Sequence, residues 1–509
     1  MANQRKLGAI LSYVYLVLNS TISILYTPLM LRLMGQSEYG LYTLVTSVIA
    51  YLSALDMGFG NAMIRYLAKF RAAEDKKSEY KLNGLFLLMY TVIGIIAFFI
   101  GITICSKIDI IFGKSLVDSE IETAKVLMFI LVVNIAVSFP MSIFTAIITA
   151  YEHFILPRVL NIAKALLMPG VMIPLLFMGY KSVALVVVTT VINLSILLIN
   201  MFYCFFKLKI KIKIAKPDGQ LLKEIFTYSF FILLNIVVDK IYLSTDKFIL
   251  GIVSGTVTVA IYGVAMQLYD YYIMFSTSIS GVFLPRITSM ITRGCKDKEI
   301  SDLFIKIGRI QFLVMALILS GFVCVGQEFV IVWAGEAYKD VYVIDLILMI
   351  PAIVPLIQNI GITVLQAKNM HRFRSIIYFV IAIGNIFISI PLAKEYGGVG
   401  AAIGTAVMTC LGQIIIMNIY YKKKAGIDIL SFWKSVFSMI PPVIVTIIMG
   451  LGINQLWKTQ GYMYILIKGI ICITVYSVLM WIFSMNDYEK NLVRKPINKI
   501  LLFFRKNEA

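Results

Sequence analysis

The chain has 509 residues, 60% of them hydrophobic and 14% charged, with a mean hydropathy of +0.90. Soluble domains carry about 25% charged residues, so a soluble globular enzyme, a disordered chain and a fibrous repeat are excluded, and a polytopic helical membrane protein is left. The net charge of +19 would point to nucleic acid in a soluble protein. Here the basic residues lie mostly in short loops between apolar runs, which ties them to topology and anionic lipid instead.

Fourteen apolar segments are predicted to span. The first, 10–31, follows a basic start without a small-x-small cleavage site and reads as an uncleaved helix. It carries Ser12, Tyr15, Asn19, Ser23 and Tyr26 on one face. The second, 42–61, adds a stripe of Tyr42, Thr46, Ser53 and Asp56. Spans three to six are expected at 83–104, 124–149, 160–178 and 183–206. A basic stretch, 207–225, follows, in which Lys207, Lys209, Lys211 and Lys213 alternate with apolar residues before the Pro217-Asp218-Gly219 turn. Its role is read as a cytoplasmic link between two lobes, or as a basic loop touching anionic lipid.

Span seven, 226–250, is the most polar. Asn235, Asp239, Tyr242 and Asp246 follow i, i+4, i+7, i+11 spacing on one face, with Lys240 and Lys247 one residue further round. Two acid–base pairs in one span imply a substrate or coupling-ion site, the competing reading being ion pairs that fix helix packing. Span eight, 259–284, places Asp270 among Tyr262, Tyr269, Tyr271 and Tyr272. The remaining spans are expected at 307–327, 342–366, 375–393, 399–420, 435–456 and 463–484. Lys125, Lys164 and Lys468 fall near span ends, where a long side chain reaches the interface. Helix is forced throughout, because an open strand in lipid leaves its backbone unsatisfied. The segments are too long and continuous for a barrel.

Alternate loops divide the Lys and Arg residues 33 to 7. The richer set includes both ends, so both termini are expected in the cytoplasm. The chain also repeats at an offset near 217: Pro174 with Pro391, Ala150 with Ala367, His153 with His371, Asn19 with Asn235, and Tyr39-Gly40 with Tyr262-Gly263. Six intervening spans preserve orientation, as in a parallel repeat. The expected all-α architecture is two pseudo-symmetric six-helix lobes around a central cavity, 1–206 and 226–420, with 207–225 as linker. A further helix pair and a basic tail occupy 421–509. Polar first helices in both lobes suggest a cavity lined by spans one, two, seven and eight.

No Walker A loop, GxSxG, HExxH or metal-type cluster is present, and the six Cys are scattered. The reading is of a transporter rather than an enzyme, with no cofactor and no metal, driven by an ion gradient, the membrane potential or the substrate gradient.

Two stretches carry a family resemblance. The first runs from Asn19 through Pro28, Arg32, Gly35, Tyr39 and Gly40 to LDMGFGNAMIRY at Leu55–Tyr66. The second has Asp246 and Gly251 followed by Val259, Tyr262, Val264 and Ala265. Together they resemble the polysaccharide-transporter branch of the multidrug/oligosaccharidyl-lipid/polysaccharide exporter superfamily.

That resemblance implies flipping of an undecaprenyl-diphosphate-linked oligosaccharide from the inner to the outer leaflet of a bacterial cytoplasmic membrane by alternating access. It implies glycosyltransferases and a polysaccharide polymerase as partners. A cavity for such a cargo needs cations for the diphosphate, assigned to Arg65, Lys240 and Lys247, and polar or aromatic groups for the sugar, assigned to Asn19, Asn235, Tyr26 and Tyr242. Asp56, Asp239, Asp246 and Asp270 are the candidates for coupling Na+ or H+. The cavity arginines of lipid II flippases are not matched, which makes lipid II a less fitting cargo. The rival readings are a multidrug/cation antiporter of the same superfamily and a membrane polysaccharide polymerase, the latter lacking its large outer loop.

Overall fold

A computed structural model describes residues 2–214, 219–281, 283–368, 370–456 and 461–495. The described residues are helical, with no strand among them. In chain order the helices are α1 (Ala2–Met34), α2 (Gln36–Ser53), α3 (Phe59–Ala72), α4 (Lys76–Cys105), α5 (Ile108–Phe112), α6 (Asp118–Ala150), α7 (Ile155–Phe177) and α8 (Ser182–Phe202). They continue with α9 (Gly219–Val253), α10 (Gly255–Gly281), α11 (Leu284–Thr292), α12 (Asp297–Ala334), α13 (Val341–Ile357) and α14 (Ile360–Ala367). The last five are α15 (His371–Thr409), α16 (Met417–Lys423), α17 (Ile429–Phe437), α18 (Ile440–Leu456) and α19 (Tyr462–Leu479).

Among the described residues, eleven helices are long and apolar enough to cross a membrane. One of them, Arg372–Lys423, is 52 residues long, roughly twice a single span at ~20 residues each. It contains a break at Gly397, whose φ of 57° and ψ of −133° are non-helical, so expected spans eleven and twelve are its two arms. α9 and α10 have 35 and 27 residues. They are of spanning length, and they carry the Asp, Lys and Tyr groups singled out in spans seven and eight. The chain is a multi-pass membrane protein.

The chain forms two compact units: Met1–Gly263 with Ser389–Ala401, and Val264–Ile388 with Ala402–Ala509. In the first, α4 packs on α6, α6 on α8, α1 on α7, and α9 on α2. Apolar burial drives helix association weakly in lipid, so close approach through small residues matters more. α4 presents such a stripe: Cβ atoms on Gly94 and Gly101 would fall 2.5 Å from Ala136 O and 2.5 Å from Val132 Cγ2 of α6, and Ala97 between them is fully buried. α9, expected to open the second lobe, packs with α2, α3 and α5 of the first unit. In the second unit α12 is the central element, contacting α13, α17, α18 and α19.

Asp75 and Asp428 cap α4 and α17 by accepting the Ser78 and Ser431 backbone N–H at 3.0 and 3.1 Å. Hydrogen bonds from those serines hold both carboxyls below the usual range. Each cap therefore stabilises its helix at neutral pH and is lost as acid protonates it.

The basic stretch after α8 is fastened. Lys213 N–H donates to Tyr80 O at 2.9 Å, Asn83 Nδ2 donates to Lys211 O at 3.1 Å, and Ile210 is buried. Leu208 and Ile212 pack on the same core, leaving Lys207, Lys209, Lys211 and Lys213 exposed. Lys216 and Pro217 lie outside the described residues.

Candidate functional site

The LDMGFG motif makes the break between α2 and α3. Met57 and Gly58 both adopt left-handed backbone, φ 52° and 69°, which a glycine tolerates without penalty. A Cβ on Gly58 would also lie 2.3 Å from Ile232 Cγ2 of α9. This turn presents Asp56, half-buried, to Tyr90 of α4, whose hydroxyl donates to its carboxylate at 2.8 Å. Nothing in the spacing of Tyr90 marks it as that partner.

Arg65 is exposed on α3, with its guanidinium 4.9 Å from the Tyr228 ring of α9 and 5.9 Å from that of Tyr66. The Tyr66 hydroxyl in turn donates to Glu224 at 3.5 Å. The structure thus brings Arg65 to the early turns of the helix that carries Lys240 and Lys247, both half-buried. At 1.5 Å per residue those lysines are about 10 Å apart along α9, on nearly one face.

Asp246 is only 2% exposed and accepts from the Tyr262 hydroxyl at 2.6 Å. Thr245 shares a 2.7 Å hydrogen bond with Tyr51 of α2. Further along, Ser115 donates to Gly251 O at 2.6 Å, and Glu120 accepts from Ser37, from Thr256 at 2.8 Å and from the Val117 N–H at 3.2 Å. Glu120 therefore joins α2, α6 and the start of α10, a role the sequence reading missed. Its only signal in the sequence is an acid four residues ahead of span four.

Of the other predicted residues, Asn19 of α1 and Asp270 of α10 are exposed. Tyr26 is half-buried, with a hydroxyl that has no partner among the described residues. α9 is helical through Asn235, Asp239 and Tyr242, whose side chains lie outside the described residues. The matched pairs Tyr39-Gly40 and Tyr262-Gly263 sit at a reciprocal crossing. A Cβ on Gly40 would lie 1.9 Å from Thr256 O, and one on Gly263 2.8 Å from Thr43 Cγ2.

Two lysines expected to snorkel behave differently. Lys125 is partly exposed and pairs with Asp109 at 2.9 Å and Glu122 at 3.1 Å. Lys468 does not reach the interface: it is fully enclosed between α19 and α12, donating to Cys324 O and lying 4.0 Å from Glu328. No group of three or more His, Cys, Asp or Glu able to hold a metal occurs among the described residues.

This fold is shared with solved membrane transporters. It matches a lipid II flippase, MurJ, in its inward closed conformation, with a TM-score of 0.70 at 16% identity over 94% of this chain and 98% of the other. It also matches an inward-facing multidrug resistance MATE transporter of the MOP superfamily, with a TM-score of 0.63 at 14% identity over 82% and 95%. What these likenesses define is a shared fold. Residues 7–291 match the family described as polysaccharide biosynthesis protein, and the chain belongs to that family. A Haloferax volcanii relative named Probable flippase AglR is 29% identical over 185 residues, 34% of this chain. The match spans 37% of that relative's length.

Proposed function

We propose that the chain flips an undecaprenyl-diphosphate-linked oligosaccharide from the inner to the outer leaflet of a bacterial cytoplasmic membrane, for surface polysaccharide synthesis. The observation that carries this reading is the seat of Arg65 against the early turns of α9, the helix that bears Lys240 and Lys247. These cations suit a diphosphate, whose charge-assisted hydrogen bonds are the strong kind. Membership of a polysaccharide biosynthesis family and the flippase named among the relatives support it. Asn19, Tyr26, Asn235 and Tyr242 are the proposed sugar contacts, and Asp56, Asp239, Asp246 and Asp270 the proposed ion-coupling groups. Glycosyltransferases would supply the cargo and a polymerase would consume it.

Lys240→Gln and Lys247→Gln, made singly, test the reading. A hydrogen bond to a charged group is worth about 1.5–3 kcal/mol, so flipping of the lipid-linked sugar should fall about 10- to 100-fold with membrane abundance unchanged. Full transport by both variants would overturn the assignment. So would efflux of cationic drugs that survives both substitutions, the behaviour of a multidrug antiporter.

The orientation is part of the proposal. Reporter fusions after Lys181 should read as external and fusions after Lys424 as cytoplasmic, following the basic-residue bias. The opposite pattern at both sites would invert the direction of transport proposed above.

A further inference from the structure

Four acids in the described residues are buried: Glu79, Asp246, Asp345 and Glu489. Three have a donor, Glu79 from the Tyr151 hydroxyl, Asp246 from Tyr262 and Glu489 from Arg309. Asp345 has none. It is 0% exposed, and neither carboxylate oxygen has a hydrogen-bond partner among the described residues. It lies four residues into α13, about 6 Å along the helix from Val341.

An ionised carboxylate held in this way would cost several kcal/mol even after relaxation. The neutral acid costs far less, so the site has room for a carboxylic acid and none for its anion. Against α13 pack α12, the π-helical segment Cys410–Ile416 and, through Ser276 Oγ donating to Leu356 O at 2.7 Å, α10. Their titratable groups are Cys324 and Glu328 in the nearer half of α12, Asp297, Lys298, Glu299, Asp302, Lys306 and Arg309 in its far half, Cys410, and Tyr262, Tyr269, Asp270, Tyr271 and Tyr272 on α10. Glu328 already faces Lys468 at 4.0 Å. On the α13 side are Tyr342, whose hydroxyl donates to Val323 O at 2.9 Å, and Tyr338, Glu336, Lys339 and Asp340 before the helix. No cluster of metal ligands occurs among the described residues, and the ligand that fits an enclosed, unpartnered carboxyl is a proton. α13 also contains Pro351 and Pro355, and each proline removes a backbone hydrogen bond and marks a point where a helix bends.

We propose that Asp345 is a proton-carrying site that couples transport to the proton gradient. In this conformation its oxygen holds the proton. When α13 bends at its prolines and admits water, the O–H bond breaks, the proton passes to water and the hydrated carboxylate remains until it is reprotonated from the other side. This rests on the reading of the chain as a gradient-driven flippase.

The test uses full-length protein in proteoliposomes. Infrared spectra of the wild type near neutral pH should contain the carbonyl band of a buried protonated carboxylic acid, and Asp345→Asn should lack it. Should the Asn variant fail to accumulate, Asp345→Leu, of similar size, replaces it. Transport is then followed with an undecaprenyl diphosphate carrying one labelled sugar. An imposed proton gradient should accelerate the wild type about 10-fold or more and leave the variant's rate unchanged. A wild type with no such band, a band that survives in both variants, or a variant still accelerated by the gradient would each overturn the proposal. If the band behaves as expected and neither protein moves the labelled lipid, the proton site stands and the flippase reading fails.

Discussion

Arg309→Ala is expected to destabilise the protein by about 3–5 kcal/mol, the usual effect of removing one partner of a buried ion pair. The Arg309 and Glu489 side chains are 9% and 1% exposed. Nε and Nη2 grip the two Glu489 oxygens at 2.6 and 2.9 Å, while Nη1 and Nη2 donate to Ser435 O and Ser484 O, both at 2.7 Å. One guanidinium thus fastens the segment after α19 and the end of α17 to α12, and its loss leaves the buried Glu489 carboxylate without its cation, held only by Asn486. Membrane abundance and the melting temperature of detergent-purified protein should both drop. Arg309→Lys should recover little, since an ammonium cannot reproduce the fork. Arg309→Met combined with Glu489→Leu should recover most of the loss, because no buried charge is then left unpaired. An unchanged melting temperature in Arg309→Ala would show that the clamp contributes nothing.

Gly40→Ala should cost about 3 kcal/mol, the upper part of the overpacking range, because the new Cβ would sit 1.9 Å from the backbone oxygen of Thr256. Backbone cannot rotate away, so α2 and the start of α10 must separate. Gly263→Ala should cost clearly less. Its Cβ would meet the Thr43 methyl at 2.8 Å, and that side chain can shift. Parallel melting curves test the order, and equal stability of the two variants would contradict it.

The spans were legible because a membrane helix must be a long apolar run whatever its neighbours are. The polar spacing on span seven was legible for a related reason, since charges are rare enough in lipid to stand out. Partnership was not. Asp246 adjoins Lys247 in sequence, but nothing in that spacing shows that it also accepts from the hydroxyl of Tyr262, sixteen residues on. Lys468 was judged by its distance from a helix end, a one-dimensional measure that ignores the enclosure α12 provides. Asp345 stood as one acid in an apolar run, without the periodic company that drew attention to Asp239 and Asp246. In the sequence Gly40 and Gly263 stand out as a repeat, and Gly40 as part of the family resemblance. That they mark a crossing of helices follows from three-dimensional distances that no spacing encodes.

The return of Ser389–Ala401 to the first unit has a consequence for biosynthesis. Its contacts there include Ser254 Oγ donating to Ala393 O at 3.3 Å and Gly397 beside Thr258. Translation delivers the rest of that unit much earlier. At roughly 5–20 residues per second, the ribosome takes on the order of ten seconds between releasing Gly263 and releasing Ala401. During that interval the nascent first unit waits in the bilayer with one seat empty, while the helices of the other unit are still being threaded in. A gene split after Gly263 would leave that seat to be filled by diffusion, from a second polypeptide.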